Sequence, residues 1–214
     1  MLSPNLLNEM SLWKKDYLVV GIDEVGRGAF AGPLLFGATI LAPNLDEKYI
    51  KYWQGLGIKD SKKLTNTRRE MLSKVIQKEA LHHDFEAIEV SILNTEGLAL
   101  SMKNALNNLS KRILNKFPNK KIFFLNDAFS IDSVDINFQK PIIHGDNISI
   151  TIACASIIAK VKRDKLMVKL SKNFPLYSLE KNKGYGTLEH RVALKMHGKC
   201  KIHRDQFVRK FVSI

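Results

Sequence analysis

Short apolar runs that end in, or just before, an acidic residue constrain this chain more than any other feature. Residues 17–22 (YLVVGI) lead into Asp23 and Glu24, residues 121–125 (KIFFL) into Asn126 and Asp127, and the run around 141–144 (PIIH) into Gly145 and Asp146. The first two are compact, β-branched and aromatic, and read as buried strands; the third is a weaker strand, with Asp146 standing just ahead of a helix. Two further strands are expected at 34–41, after a turn at Gly32 and Pro33, and at 85–90. Helical spacing of apolar residues predicts helices over 64–82, with Thr65 as N-cap, over 92–114, and over 149–170, the last small and apolar first and amphipathic later. Residues 181–214 carry a glycine-rich turn and one or two more helices. Strands alternating with helices make an α/β sheet with helices on its faces the expected architecture. No repeat, low-complexity tract or linker interrupts the chain. One domain over 1–214 is therefore expected, with an α/β core over about 17–170 and a C-terminal helical extension over about 171–214.

Strand ends at one edge of an α/β sheet are where such folds build sites. Carboxylate oxygens are the hard ligands that Mg²⁺ and Mn²⁺ prefer, and carboxylates crowded together repel one another unless cations are present. Asp23, Glu24, Asp127 and Asp146 are thus candidate metal ligands, the alternative being solvated loop residues or N-caps. Adjacent strand residues point to opposite faces, so Asp23 and Glu24 share a site only where the strand ends or twists; Gly21, Gly26 and Gly28 permit such a distortion. The other acids have simpler explanations. Asp132 and Asp135 lie in a polar stretch, Asp60 in a loop entering a helix, and Asp164 between Arg163 and Lys165, where a surface ion pair suffices.

Lys and Arg total 34 against 21 Asp and Glu, a net charge of +13 that suits a polyanionic partner, although a basic protein with no nucleic-acid role would look the same. No segment approaches the length of a membrane helix, and residues 1–15 lack the pattern of a secretory signal. Two cysteines, Cys154 and Cys200, make no framework, so reduced thiols in the cytoplasm are expected.

At these residues the sequence resembles ribonuclease HII, the type 2 ribonuclease H family, from Tyr17 to Phe211. The resemblance is carried by GIDEVGRGAFAGP (21–33), KDSKKLT (59–65), SILNTEGLALSMKNAL (91–106), HGDNISITIACASIIAKVKRD (144–164), KGYGTLEH (183–190) and HGKCKIHRDQF (197–207). It implies an RNase H-like fold, a mixed β-sheet flanked by α-helices with a C-terminal helical, substrate-binding part. It also implies hydrolysis of the RNA strand of RNA–DNA hybrids and cutting at ribonucleotides embedded in duplex DNA. By the same resemblance Asp23, Glu24, Asp127 and Asp146 hold two Mg²⁺ or Mn²⁺ ions, which favour in-line attack by water and leave a 3′-hydroxyl and a 5′-phosphate.

The resemblance assigns Gly26, Arg27 and Gly28 to the strand being cut and Tyr185 to the ribose junction. Ser61, Lys62 and Lys63 are candidates for holding phosphates, the alternative being an ordinary basic helix entry on the surface. Two glycines let backbone approach a sugar, Arg27 can meet a phosphate, and the 2′-hydroxyl is the handle that separates ribose from deoxyribose. A tight turn, for the glycines, and a ring packed on the core, for Tyr185, are the structural alternatives. His197, Cys200 and His203, with His190 nearby, offer zinc ligands at close spacing, though the family's basic tail needs no zinc. Two positions depart from the family pattern. Ala128 follows Asp127 where glycine is usual, so the backbone there is expected to differ. His144 precedes Gly145 where lysine is usual, which removes a permanent cation. The rivals are the sister family ribonuclease HIII, which carries an extra N-terminal domain and a Thr-containing glycine motif, and a non-catalytic nucleic-acid-binding module. The expected enzyme is monomeric. A replication clamp is a candidate partner, for which the basic, apolar residues 208–214 would be either a docking peptide or simply a helix end.

Overall fold

The computed structural model describes residues 3–212. Five strands form one mixed sheet: β1 (Tyr17–Val25), β2 (Leu34–Ile40), β3 (His82–Ile88), β4 (Lys121–Asp127) and β5 (Gln139–Ile142), in the order β3-β2-β1-β4-β5. β1, β2 and β3 form an antiparallel meander, while β4 joins β1 and β5 joins β4 in parallel.

Helices cover both faces. α6 (Ile150–Ser171) crosses one, flanked by α1 (Leu7–Trp13), α2 (Glu47–Gly55) and α3 (Asn66–Glu79); α5 (Leu98–Lys116), preceded by α4 (Val90–Glu96), covers the other. The alternation of a strand sorts the core. Val19 joins Ile152, Cys154 and Ile157 of α6, whereas Leu18, Val20 and Ile22 join Leu106, Leu109 and Ile113 of α5. The small residues that open α6 let it lie almost on the sheet. A Cβ at Gly21 would stand 2.2 Å from the backbone of Thr151, and one at Gly37 would stand 2.6 Å from the Ala155 carbonyl. The start of α6 is also pinned from the N-terminal segment. Buried Glu9 accepts hydrogen bonds from Ser149 Oγ at 2.6 Å and from the Thr151 backbone at 3.0 Å, and burial pushes its carboxyl above its ordinary pKa.

Several boundaries depart from the sequence expectation for identifiable reasons. α3 stops at Glu79 rather than His82, because residues 82–88 are taken up as β3, paired from Ile40–His82 to Leu34–Ile88. The strand expected at 85–90 therefore begins earlier, and Val90 opens a helix. The helix expected over 92–114 is broken at Gly97, whose φ of +79° a helix cannot contain. β5 lies two residues before the expected 141–144. α1 and α2, at 7 and 9 residues, are too short for their periodicity to stand out.

Beyond α6, α7 (Leu179–Asn182), α8 (Leu188–His197) and α9 (Asp205–Val208) gather with Ala31, Met167 and Tyr177 in a smaller apolar cluster. The tail packs against this cluster, with the Phe211 ring centre 5.4 Å from that of Phe30. Ser213 and Ile214, the end of that tail, lie outside the described residues. No described helix is long and apolar enough to cross a membrane.

Candidate active site

β1 does not end before its acidic pair, as strand geometry led one to expect, but runs on to Val25. What ends is its parallel partner. Pairing with β4 stops at Ile22–Asn126, while pairing with β2 continues to Val25–Leu35. Asp23 and Glu24 therefore stand where the sheet has lost one neighbour, beside Asp127 at the last position of β4. Alternation sends the two side chains to opposite faces, yet with no strand between them their carboxylates converge. One oxygen from each of Asp23, Glu24 and Asp127 lies within 4.8 Å of the others.

Local hydrogen bonds hold this arrangement. Asp23 Oδ1 accepts from the Glu24 backbone at 2.7 Å, and Asp127 Oδ1 from the Gly145 backbone at 2.8 Å. The second bond ties β4 to the 3-10 turn Gly145–Asn147 that carries Asp146 into α6. Asp146 stands outside the tight group of three. It is buried and accepts from Asn147 Nδ2 at 2.7 Å.

The donor set fits a divalent cation. Burial, followed by the charges of Glu24, Asp127 and Asp146, pushes Asp23 well above the usual carboxylate range despite the Ser156 hydroxyl beside it. Burial, with Asp127 adding to it, pushes Glu24 up to about 7. Burial also raises Asp146, with Asp60 and Asp127 contributing. Glu24 Oε2 is buried without any hydrogen-bond partner. Carboxylates this desolvated and mutually repelling hold their charge well only when a cation joins them.

Asp23 and Glu24 line a cleft of about 330 Å³ with Gly26, Arg27, Gly28, Ser61, Lys62 and Tyr185. Of the residues singled out in the sequence, Asp127 meets this cleft only through its grouping with Asp23 and Glu24, Asp146 stands outside its lining, and Lys63 turns away to Asn147 Oδ1 at 2.7 Å and so steadies the turn bearing Asp146. Lys62 stays at the rim. Burial alone would lower its pKa, but Asp60, Asp146, Asp23 and Glu24 together hold it above the ordinary lysine value. Ser156 and Lys160 of α6 also line the cleft and were not singled out. Ser156 donates to Ser61 Oγ at 3.0 Å, and Lys160 pairs with Asp164 at 2.7 Å, so Asp164 pairs within its own helix face. The spacing Lys160–Asp164 is legible as an i,i+4 pair, but its nearness to the strand ends is not.

The two glycines of the 26–28 turn differ in what they allow. Gly26 has φ +89°, and a Cβ there would meet the Arg163 side chain at 2.2 Å, so the fold itself requires glycine. A Cβ at Gly28 would meet nothing within 4 Å, so its bare backbone is left facing the cleft. Two fully buried guanidiniums brace this region through carbonyls. Arg163 donates to Pro33, Lys183 and Ala31, and Arg204 to Gly32, Gly26 and Arg27. Arg163 also lies 5.3 Å from the Tyr185 ring centre. Neither arginine stood out in the sequence, because a buried cation answered only by carbonyls leaves no pairing pattern.

At the two departures, Ala128 adopts φ +63°, a left-handed conformation that favours glycine, so alanine bears strain there. His144 is exposed, also left-handed, at the head of the Asp146 turn. Asp132 pairs with Lys103, and Asp135 caps a turn. His197 is exposed. Among the described residues, the carboxylates are the only group of three or more potential ligands brought within reach of one ion, which leaves the zinc reading without support.

A mixed sheet flanked by helices, with clustered carboxylates beside a glycine-lined basic cleft, defines a nuclease of the RNase H-like class. Residues 20–211 match the family model described as Ribonuclease HII, and Ribonuclease HII of Clostridium tetani is 42% identical over 195 residues, covering 91% of this chain and 69% of that one. The chain belongs to the ribonuclease HII family, and it is an enzyme of ribonuclease H type. Solved structures agree in fold. RNase HII in the PCNA:RNase HII complex from Archaeoglobus fulgidus superposes with a TM-score of 0.65 at 24% identity, covering 87% of this chain and 93% of that one. Bst-RNase HIII in complex with Mn²⁺ gives 0.64 at 18% identity, covering 86% and 63%.

Proposed function

We propose that this enzyme hydrolyses the RNA strand of RNA–DNA hybrids and cuts on the 5′ side of ribonucleotides embedded in duplex DNA, leaving 3′-hydroxyl and 5′-phosphate ends. One observation carries the reading: Asp23 and Glu24 share a single cleft with the bare backbone of Gly28, with Arg27 and with Tyr185. The groups that would cut and the groups that would read a sugar thus face the same nucleotide.

Asp23, Glu24, Asp127 and Asp146 would hold two Mg²⁺ or Mn²⁺ ions, which supply charge neutralisation at the phosphate and a more acidic attacking water. The chain's own residues do the rest. Gly26, Arg27 and Gly28 bring backbone and a guanidinium to the strand being cut. Ser61 and Lys62 face the same phosphates, with Lys63 acting through Asn147. Tyr185, backed by Arg163 and Lys160, stacks at the junction and tests for the 2′-hydroxyl. In this reading residues at about 17–170 form the catalytic core and those at about 171–214 the substrate-binding part. The net charge of +13 favours the polyanion. The enzyme would act as a monomer in the cytoplasm, in replication and ribonucleotide excision repair. The archaeal complex with PCNA makes a sliding clamp a candidate partner.

Tyr185→Ala tests the reading of ribose. Loss of one base- or sugar-stacking aromatic should lower kcat/KM on a duplex with a single ribonucleotide, relative to a continuous hybrid, by roughly tenfold. An unchanged ratio of the two rates would count against the role given to Tyr185.

A further inference from the structure

His190 and His203 lie outside the cleft, and both rings are fully buried. Their Nε2 atoms are 3.1 Å apart, a distance that admits one shared proton. The surroundings fix where it sits. His190 Nδ1 is 3.0 Å from the Tyr185 carbonyl, which can only accept, so His190 carries its proton on Nδ1 and presents a lone pair at Nε2. His203 must then donate from Nε2 and accept at Nδ1. From the other end, the Cys200 backbone N–H points at that same His203 Nδ1 at 3.0 Å. The Cys200 carbonyl also lies 3.3 Å from this Nδ1 but already accepts from the His203 amide at 2.9 Å, and the Cys200 thiol, 3.3 Å away, can donate to the same lone pair. On this assignment the hydrogen bonds run one way, from the Cys200 amide through both rings to the Tyr185 carbonyl. Burial lowers the pKa of both histidines, His203 to about 4 with His190 contributing, so both rings are neutral at neutral pH.

The same segment holds the rest of the Tyr185 turn. Ala31 and His203 form a β-bridge, and the Arg204 amide donates to the Phe30 carbonyl at 2.8 Å. The Phe30 and Ala31 amides in turn donate to the Gly184 carbonyl at 2.8 and 3.1 Å. A Cβ at Gly186 would strike the Phe30 ring at 2.3 Å. Besides Lys160 and Arg163 against its ring, Tyr185 is thus seated through its backbone by residues outside the cleft lining.

We propose that the His203–His190 pair is a positioning relay that sets Tyr185 over the cleft, so that these two histidines govern selectivity for a lone ribonucleotide. This rests on the reading of Tyr185 as the ribose sensor. Two measurements test it. Two-bond ¹H–¹⁵N spectra of the imidazoles of the wild-type protein should show His190 as the Nδ1–H tautomer and His203 as the Nε2–H tautomer; the reverse pattern would overturn the relay. In cleavage, His203→Leu should lower the ratio of kcat/KM on a single-ribonucleotide duplex to that on a continuous hybrid by roughly tenfold, and His203→Gln, whose amide can donate towards His190, should restore most of it. Equal losses on both substrates, or no difference between Leu and Gln, would overturn the proposal. A wild-type enzyme that leaves the lone ribonucleotide uncut would overturn the substrate reading and this proposal with it. A wild type that cuts, beside a His203→Leu that keeps the ratio, would overturn this proposal alone.

Discussion

Asp23→Asn should leave a folded protein that binds duplex and does not cut it. The carboxylate is buried and shares the site with Glu24 and Asp127, and an amide in its place keeps one carbonyl oxygen but removes the negative charge that holds a hard cation there. Loss of several kcal/mol of transition-state stabilisation corresponds to a fall of about 10³-fold or more in kcat/KM. Stability should move the other way. Burial and three like charges raise Asp23's pKa, so without metal the variant is relieved of a repulsion that the wild type bears. The metal-free Tm of Asp23→Asn should equal or exceed that of the wild type at neutral pH. Wild-type turnover, or a metal-free variant that melts well below the wild type, would contradict this account of the residue.

Gly21→Ala should cost the fold itself. The added methyl would stand 2.2 Å from the carbonyl carbon of Thr151 and 2.5 Å from the amide of Ile152, which are backbone atoms with no rotamer to give way. Either β1 or α6 must shift, and overpacking of this kind costs about 3 kcal/mol. For a chain of this length that is roughly 10 °C in Tm. The shift also separates Ser156 and the Asp146 turn from Asp23, so cleavage should fall together with Tm. A variant that melts within a degree or two of the wild type would mean that helix and sheet are not held as closely as described.

Most of the sheet was legible because β1, β2 and β4 are short apolar runs whose burial leaves no second interpretation. The boundary at residues 80–90 was not, because β3 is only partly buried and is fixed by pairing with β2, which local sequence does not reveal. The site divides in the same way. Asp23, Glu24 and Asp127 could be read at strand ends, but the reason Asp23 and Glu24 meet is that β4 stops pairing at Ile22, a matter of register between distant segments. Arg163 and Arg204, which shape the Gly26 turn through carbonyls alone, carry no local signature. The HxxCxxH spacing suggested a zinc site. The fold instead turns His203 toward His190, a partner 13 residues away, and leaves His197 in solvent.

The central claim is metal-dependent cutting beside a ribose, and the most direct test is a DNA duplex containing one ribonucleotide, incubated with the purified protein and Mg²⁺ or Mn²⁺, with the product ends mapped. The account predicts one cut on the 5′ side of the ribonucleotide, a 3′-hydroxyl on one fragment and a 5′-phosphate on the other, and no cleavage when EDTA is present. Duplex binding without cutting at any concentration of either metal, or cleavage that survives EDTA, would contradict it.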